Sequence, residues 1–318
     1  MENNTLAAKT IDIKLNPASE NYHQAKTTDT IYQDSINLIG FGFDGTACFR
    51  KGAKAGPDAL REASYGIEYY SPYLNQELTS FDFYDLGNLV IGNYPLTVEA
   101  TAEEQPLIQT EWQKGTDDFL QLFSGLDFKK QNIKVMTFGG EHSISYAPIK
   151  KYLHDFNDLV LLHLDAHADL RDGYLGHFQS HASIIRRVLD HFGSKHELIQ
   201  YGIRSGTKEE YQWMQANNTI KQSRREFLDA VAAIPDERPI YLTLDLDYFD
   251  PSFFPGTGTP EPGGEDFHSF VSLCKMLKQK NLVGCDIVEL APALDSSGNS
   301  DVFAAKVARE LLICLKGH

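Results

Sequence analysis

Leu162-His163-Leu164-Asp165-Ala166-His167-Ala168-Asp169 follows the apolar residues Leu159, Val160 and Leu161. An apolar run that stops in metal-capable side chains two residues apart reads as a buried strand with a polar end. Side chains alternate faces along a strand, so Asp165 and His167 leave its end on one side, and Asp169 joins them from the following loop. Unpaired buried charge is strongly disfavoured, and a divalent metal, or two, would compensate this cluster.

The pattern recurs. Ile240 to Asp245 is a strand with alternating Leu242, Leu244 and Leu246, and Asp245 and Asp247 share parity at its end. Ile133 to Phe138 ends at Gly139-Gly140-Glu141-His142-Ser143, where two glycines let backbone come close to a site. Three strand ends thus offer Asp165, Asp169, Asp245 and Asp247 with His142 and His167. That set suits two adjacent divalent ions. Oxygen-rich ligation with some imidazole suits Mn²⁺ better than a thiolate-seeking metal, while spacing leaves Zn²⁺, Ni²⁺ or Fe²⁺ open. No candidate serine or cysteine nucleophile stands beside a base, so metal-activated water is the best available nucleophile.

A single aspartate at a strand end is usually a cap or turn residue. Three such motifs, each directly after an apolar strand, are hard to explain by capping. His163, deeper in its strand, reads as a satisfied core histidine. His154, His191, His196, His268 and His318 read as surface residues, and Asp250 before Pro251 as a turn former.

Outward from these motifs, strand candidates at 35–41, 81–86, 133–138, 159–165, 198–203, 240–245 and 283–288 alternate with helical segments. The helices are expected from Pro57 through Arg61 and at 104–123, 143–154, 183–191, 224–233, 263–280 and 301–315. In 104–123 the expected buried face is Leu107, Ile108, Trp112, Phe119, Leu120 and Phe123. Such alternation predicts an α/β fold, a three-layer αβα arrangement with a mostly parallel central sheet. Ligands in such sheets sit beyond the carboxyl ends of the strands. No glycine-rich nucleotide fingerprint or phosphate-cradling loop is present.

The chain has 318 residues, 42% of them hydrophobic, which suffices for one large core. We expect residues 1–34 to be an arm or extension, its first 30 or so residues mobile or packed on the surface, and residues 35–318 to be a single catalytic domain. Net charge of −15 argues against nucleic acid, which needs a basic face. No run approaches a membrane span, and the polar start lacks a signal-peptide pattern. Cys48, Cys274, Cys285 and Cys314 are scattered and read as reduced thiols of a cytoplasmic protein.

With these segments in hand, the chain resembles the ureohydrolase family of arginases and agmatinases, and agmatinases above all. The resemblance is carried by Gly139 to Ser143, Asp165-Ala166-His167-Ala168-Asp169, Leu244 to Pro251, Gly256-Thr257-Gly258-Thr259-Pro260-Glu261-Pro262-Gly263-Gly264 and Asp286-Ile287-Val288-Glu289-Leu290-Ala291-Pro292. Gly52 to Arg61 adds to it. It implies an arginase-like fold and two Mn²⁺ ions, with Ni²⁺ or another divalent metal as the alternative. His142, Asp165, Asp169 and Asp245 would hold one ion; Asp165, His167, Asp245 and Asp247 the other. Glu289 would pair with a guanidinium, and His181, rather than His177, would shuttle protons. A metal-bridged hydroxide would attack the guanidinium carbon, and Asp247 would pass a proton to the leaving amine. Arginases usually carry an asparagine where this chain has Arg171, which points away from an α-amino acid and towards agmatine, a small cationic guanidino substrate, giving putrescine and urea. Arg171 would touch the substrate or form a structural salt bridge. Guanidinobutyrate, guanidine or arginine would be the alternatives, and Arg171, Arg50 and Arg204 the candidate partners of a substrate carboxylate. A metal-binding protein without turnover is a further alternative. The family is usually a homo-oligomer, a trimer or hexamer.

Overall fold

The computed structural model describes residues 6–317; residues 1–5 and His318, read above as a surface histidine, lie outside them. The strands that build the parallel part of the central sheet are, in chain order, β1 Ser35–Phe41, β2 Phe83–Leu89, β3 Ile133–Gly139, β4 Val160–Leu164, β5 Glu197–Tyr201, β6 Ile220–Lys221, β7 Ile240–Asp245 and β8 Leu282–Val288. The helices between and after them are α1 Gly56–Ser64, α2 Gln105–Leu122, α3 Tyr146–Asp155, α4 Ile184–Leu189, α5 Lys208–Ala216, α6 Arg224–Ala233, α7 Phe267–Leu277 and α8 Asn299–Lys316.

The strands form one sheet in the order β6-β5-β4-β7-β8-β3-β1-β2, and every pairing among them is parallel. Short strands Leu15–Asn16 and Lys26–Thr27 both pair with β2, the first antiparallel. Alternation along the strands feeds two cores. Leu162, Leu164, Leu242 and Leu244 pack on one face with α1, α6, α7 and α8; Leu161 and Tyr241 pack on the other with α2, α3, α4 and α5. The order places β4, β7, β8 and β3 side by side. Their carboxyl ends, which carry the polar motifs, are therefore contiguous.

The differences from the sequence reading are local. The second strand begins at Phe83, not Phe81. Leu107 is 56% exposed and Leu120 half-buried, because the buried face of α2 runs through Ile108, Trp112, Gly115, Phe119 and Leu122. Helix α5 and strand β6 were not anticipated. From residue 6 the N-terminal segment is packed, the second of the two expected alternatives. Ala7–Thr10 pairs antiparallel with Thr30–Tyr32. Lys9 Nζ donates to the carbonyls of Gln121 and Leu122 at the end of α2, both at 3.1 Å. Tyr22 is fully buried, its hydroxyl donating to the Ala305 carbonyl at 2.8 Å.

Candidate metal centre and active site

His142 begins a short turn after β3 and is buried. Thr243, on β7, donates its one hydroxyl proton to Asp286 Oδ1 at 2.7 Å, so it accepts from His142 Nε2–H at 2.8 Å. Nδ1 of His142 is the nitrogen left over. It faces Asp165 Oδ2 at 2.9 Å, Asp169 Oδ2 at 3.2 Å and Asp245 Oδ2 at 3.3 Å. Three carboxylate oxygens around one ring nitrogen demand a cation: against its burial they raise the His142 pKa well above its usual value, and a divalent metal on Nδ1 would take that proton's place. The donor set is hard-to-borderline, as a divalent metal requires.

A second group adjoins the first. Asp165, His167 and Asp247 each offer an atom within 4.8 Å of the others'. His167 Nδ1 lies 2.9 Å from Asp247 Oδ2 and 3.5 Å from Asp165 Oδ1. Asp165 thus turns one oxygen to each group. Asp245 meets the first group through Oδ2, while its Oδ1 accepts the Asp247 N–H at 2.8 Å. Asp247 Oδ1 accepts the Ala166 N–H at 3.0 Å, which ties the ends of β4 and β7 together.

The electrostatics follow from crowding. Burial, then Asp247 and Asp165, raises the Asp245 carboxyl well above its usual range. Burial, then Asp165, raises Asp169 to about 7. Burial opposes ionisation of Asp165, yet the imidazoles of His142, His163 and His167 hold it well below the usual range. Glu289, at the end of β8, is raised by burial and by Glu141 and Asp247; its Oε1 accepts the His142 N–H at 3.0 Å. Asp169 and Glu289 both adopt left-handed backbone, at φ 55° and 68°. Such conformations cost about 1–3 kcal/mol each in a non-glycine residue and concentrate at functional sites.

His181 opens a short 3-10 turn before α4. Its Nδ1 lies 3.3 Å from Thr46 Oγ1 and 3.8 Å from Glu141 Oε2. Thr46 in turn donates to Glu141 Oε1 at 2.6 Å. Burial, followed by the nearby His167 and His142, pushes His181 down to about 3, so it is a neutral imidazole. Burial raises Glu141 to about 7. His177 instead lies beside Gln109 of α2, 3.4 Å from its Nε2.

His167, Asp169, Arg171, Tyr174, His181 and Cys48 line a cavity of about 190 Å³. Among the described residues Arg171 has no carboxylate at ion-pair distance; its guanidinium stacks on Tyr174 at 4.7 Å. Asp172 pairs with Arg187 instead. The expected salt-bridge alternative for Arg171 is therefore absent. Arg50 and Arg204 are occupied by backbone carbonyls, Arg50 by Thr257 and Gly258, Arg204 by Glu261 and Asp247 among others. Asp250 accepts from Ser252, Gly263 and Gly264 and is a turn former.

The structure brings together His142, Asp165, His167, Asp169, Asp245, Asp247, His181 and Glu289, with Arg171 on the cavity wall. Sequence reasoning missed Thr243 and Tyr174; the loops at 42–54 and 202–206 are expected as a whole to line the substrate mouth, and Cys48, Ser205 and Gly206 do line the cavity, but Thr46 and Cys48 were not singled out. Thr243 was findable, since it shares parity with Asp245 on its strand; Thr46, Tyr174 and Cys48 come from irregular loops with no periodic signal.

The family model described as "Arginase family" matches residues 34–314. An agmatinase of Bacillus anthracis is 35% identical over 295 residues, covering 91% of this chain and 94% of the relative. An agmatinase of Bacillus subtilis strain 168 is 33% identical over 283 residues, 87% of this chain and 90% of the relative. The solved agmatine ureohydrolase of Thermoplasma volcanium superposes with a TM-score of 0.71 at 25% identity, covering 96% of each chain.

Proposed function

The chain belongs to the arginase family, and on that premise we propose that it hydrolyses agmatine to putrescine and urea with two Mn²⁺ ions. The observation that carries the reading is Glu289. It is a buried carboxylate beside the His142 and Asp247 groups, and among the described residues no cation pairs with it. A guanidinium would supply that partner.

His142, Asp165, Asp169 and Asp245 would hold one ion, and Asp165, His167, Asp245 and Asp247 the other. When bound, two adjacent divalent ions supply a nucleophilic water at neutral pH and positive charge against the developing tetrahedral centre. Glu289 fixes the guanidinium by a charge-assisted pair. Asp247 passes a proton to the leaving amine as the C–N bond breaks. His181, neutral and held by Thr46, takes up or returns a proton at Nδ1 or Nε2. Arg171 bounds the substrate's far end. Residues 35–318 form the catalytic unit and residues 1–34 an extension. The protein works in the cytoplasm, as a homo-oligomer, trimer or hexamer, in polyamine biosynthesis.

One observation favours a second substrate: the unpaired Arg171 would match the carboxylate of guanidinobutyrate. The test is urea release from agmatine, arginine, guanidinobutyrate and guanidine in parallel, with Mn²⁺ and with Ni²⁺. Fastest turnover of agmatine is expected. Faster turnover of guanidinobutyrate would move the assignment to the second substrate.

A further inference from the structure

His163 lies on β4 two residues before Asp165, fully buried, and no role in the chemistry above uses it. Its Nε2 is 2.8 Å from Asp165 Oδ2. Its Nδ1 is 3.1 Å from Nε2 of Gln200, its register partner on β5. Nothing in those distances alone tells which ring nitrogen bears the proton. The surroundings of Gln200 do. Its amide nitrogen also lies 3.3 Å from the Ala168 carbonyl, which can only accept. Its amide oxygen accepts from Thr219 Oγ1 at 2.8 Å. Gln200 therefore presents N–H to His163, and His163 Nδ1 accepts. The remaining proton sits on Nε2, pointing at Asp165. Gln200 is fully buried and Thr219 nearly so, and no solvent competes for these bonds.

Two readings of His163 compete. A ring nitrogen of His163 lies within 4.8 Å of donor atoms of His142, Asp165 and Asp169, close enough to count as a ligand, and Nε2 is the one that faces Asp165. A nitrogen that carries a proton has no lone pair to give a metal. We propose that His163 is a positioning residue: the chain Thr219–Gln200–His163 directs an N–H at Asp165 Oδ2 and fixes the carboxylate that serves both metal groups. Ligating carboxylates held in this way lose metal affinity when the supporting group is removed. The proposal rests on the metal centre of the proposed function, but not on the choice of substrate.

The test compares metal affinity of the full chain with His163→Phe and His163→Gln, by competition titration with Mn²⁺ and Zn²⁺. A glutamine amide N–H can stand where the imidazole Nε2–H stood. His163→Phe is expected to weaken binding by about 10–100-fold, and His163→Gln to recover most of it. In the Zn²⁺-loaded wild type, ¹⁵N NMR of labelled histidine should show a protonated Nε2 on His163; this readout needs no variant to fold. Unchanged affinity in His163→Phe, no recovery in His163→Gln, or an Nε2 without a proton would overturn the proposal. A wild type that binds no metal would remove the premise itself and is read separately from any loss in the variants.

Discussion

At the scale of single residues, the site works by denying charges their usual partners. Glu289 holds a backbone N–H but, among the described residues, no cation, so Glu289→Gln should preserve the fold while removing the guanidinium partner. A fall in kcat/KM of about 100-fold, on the order of 3 kcal/mol, is expected from steady-state kinetics on agmatine. Lys134 is the counterpart among cations. Burial, with Lys316 nearby, lowers its pKa from 10.5 to about 8. Between pH 8 and 10.5 the unfolded chain binds the proton and the folded chain does not, so this residue makes stability rise with pH across that window. Its cost is full below pH 8. Lys134→Met should therefore raise stability at pH 7 by about 1–2 kcal/mol, less than the whole shift implies because the lost bond to the Leu315 carbonyl offsets part of it. Urea denaturation at pH 7 and pH 10 measures both effects, and the gain should shrink at the higher pH. That these aspartates and histidines would gather at one place was legible because such residues after an apolar run are costly without a ligand. Thr46 was not, since a threonine carries no such cost in sequence, and Thr243 was findable only through its parity with Asp245.

At the scale of elements, strand ends were legible and irregular joins were not. β7 runs as expected, because Leu242 and Leu244 alternate with polar neighbours up to Asp245. Helix α5, Lys208–Ala216, spans nine residues, too short for a clear apolar period, and was overlooked. Its readable signal was the capping box, Thr207 accepting from the Glu210 N–H and Glu210 from the Thr207 N–H. Two-residue β6 is too short for any period to show. Leu107 was assigned to the buried face of α2 by hydrophobicity alone, yet it lies beside that face and is exposed. Helix α1 is fixed by a charge. Arg61 is fully buried and pairs with Asp85 of β2 through Nε at 2.8 Å and Nη2 at 2.9 Å, with Asn88 accepting from Nη1 at 2.7 Å. Arg61→Met leaves Asp85 buried and uncompensated. A loss of about 3–5 kcal/mol is expected in denaturant unfolding, and restoring only part of it by Asp85→Asn in the double variant would show the pair to be coupled.

At the scale of the whole molecule, the αβα architecture was legible from the alternation of strands and helices, but the strand order was not. Sequence gives no reason for β7 and β8 to insert between β4 and β3, and that insertion makes the four polar strand ends adjacent. The anchoring of Tyr22 was equally hidden, because its burial against α8 depends on a contact 283 residues apart. The central carboxylate cluster also bears on global stability. With the metals removed, Asp165, Asp169, Asp245 and Asp247 repel one another in a buried place, so chelation should lower Tm and added Mn²⁺ should restore it in a concentration-dependent way. Thermal unfolding with and without chelator checks this.

The most direct measurement is the rate of urea release from agmatine as Mn²⁺ is added in known equivalents to metal-stripped protein. The rate should start near zero and rise to a plateau at two ions per chain, with putrescine formed in step with urea. No urea at any metal level, or the same rate in the stripped protein, would contradict a dinuclear hydrolase.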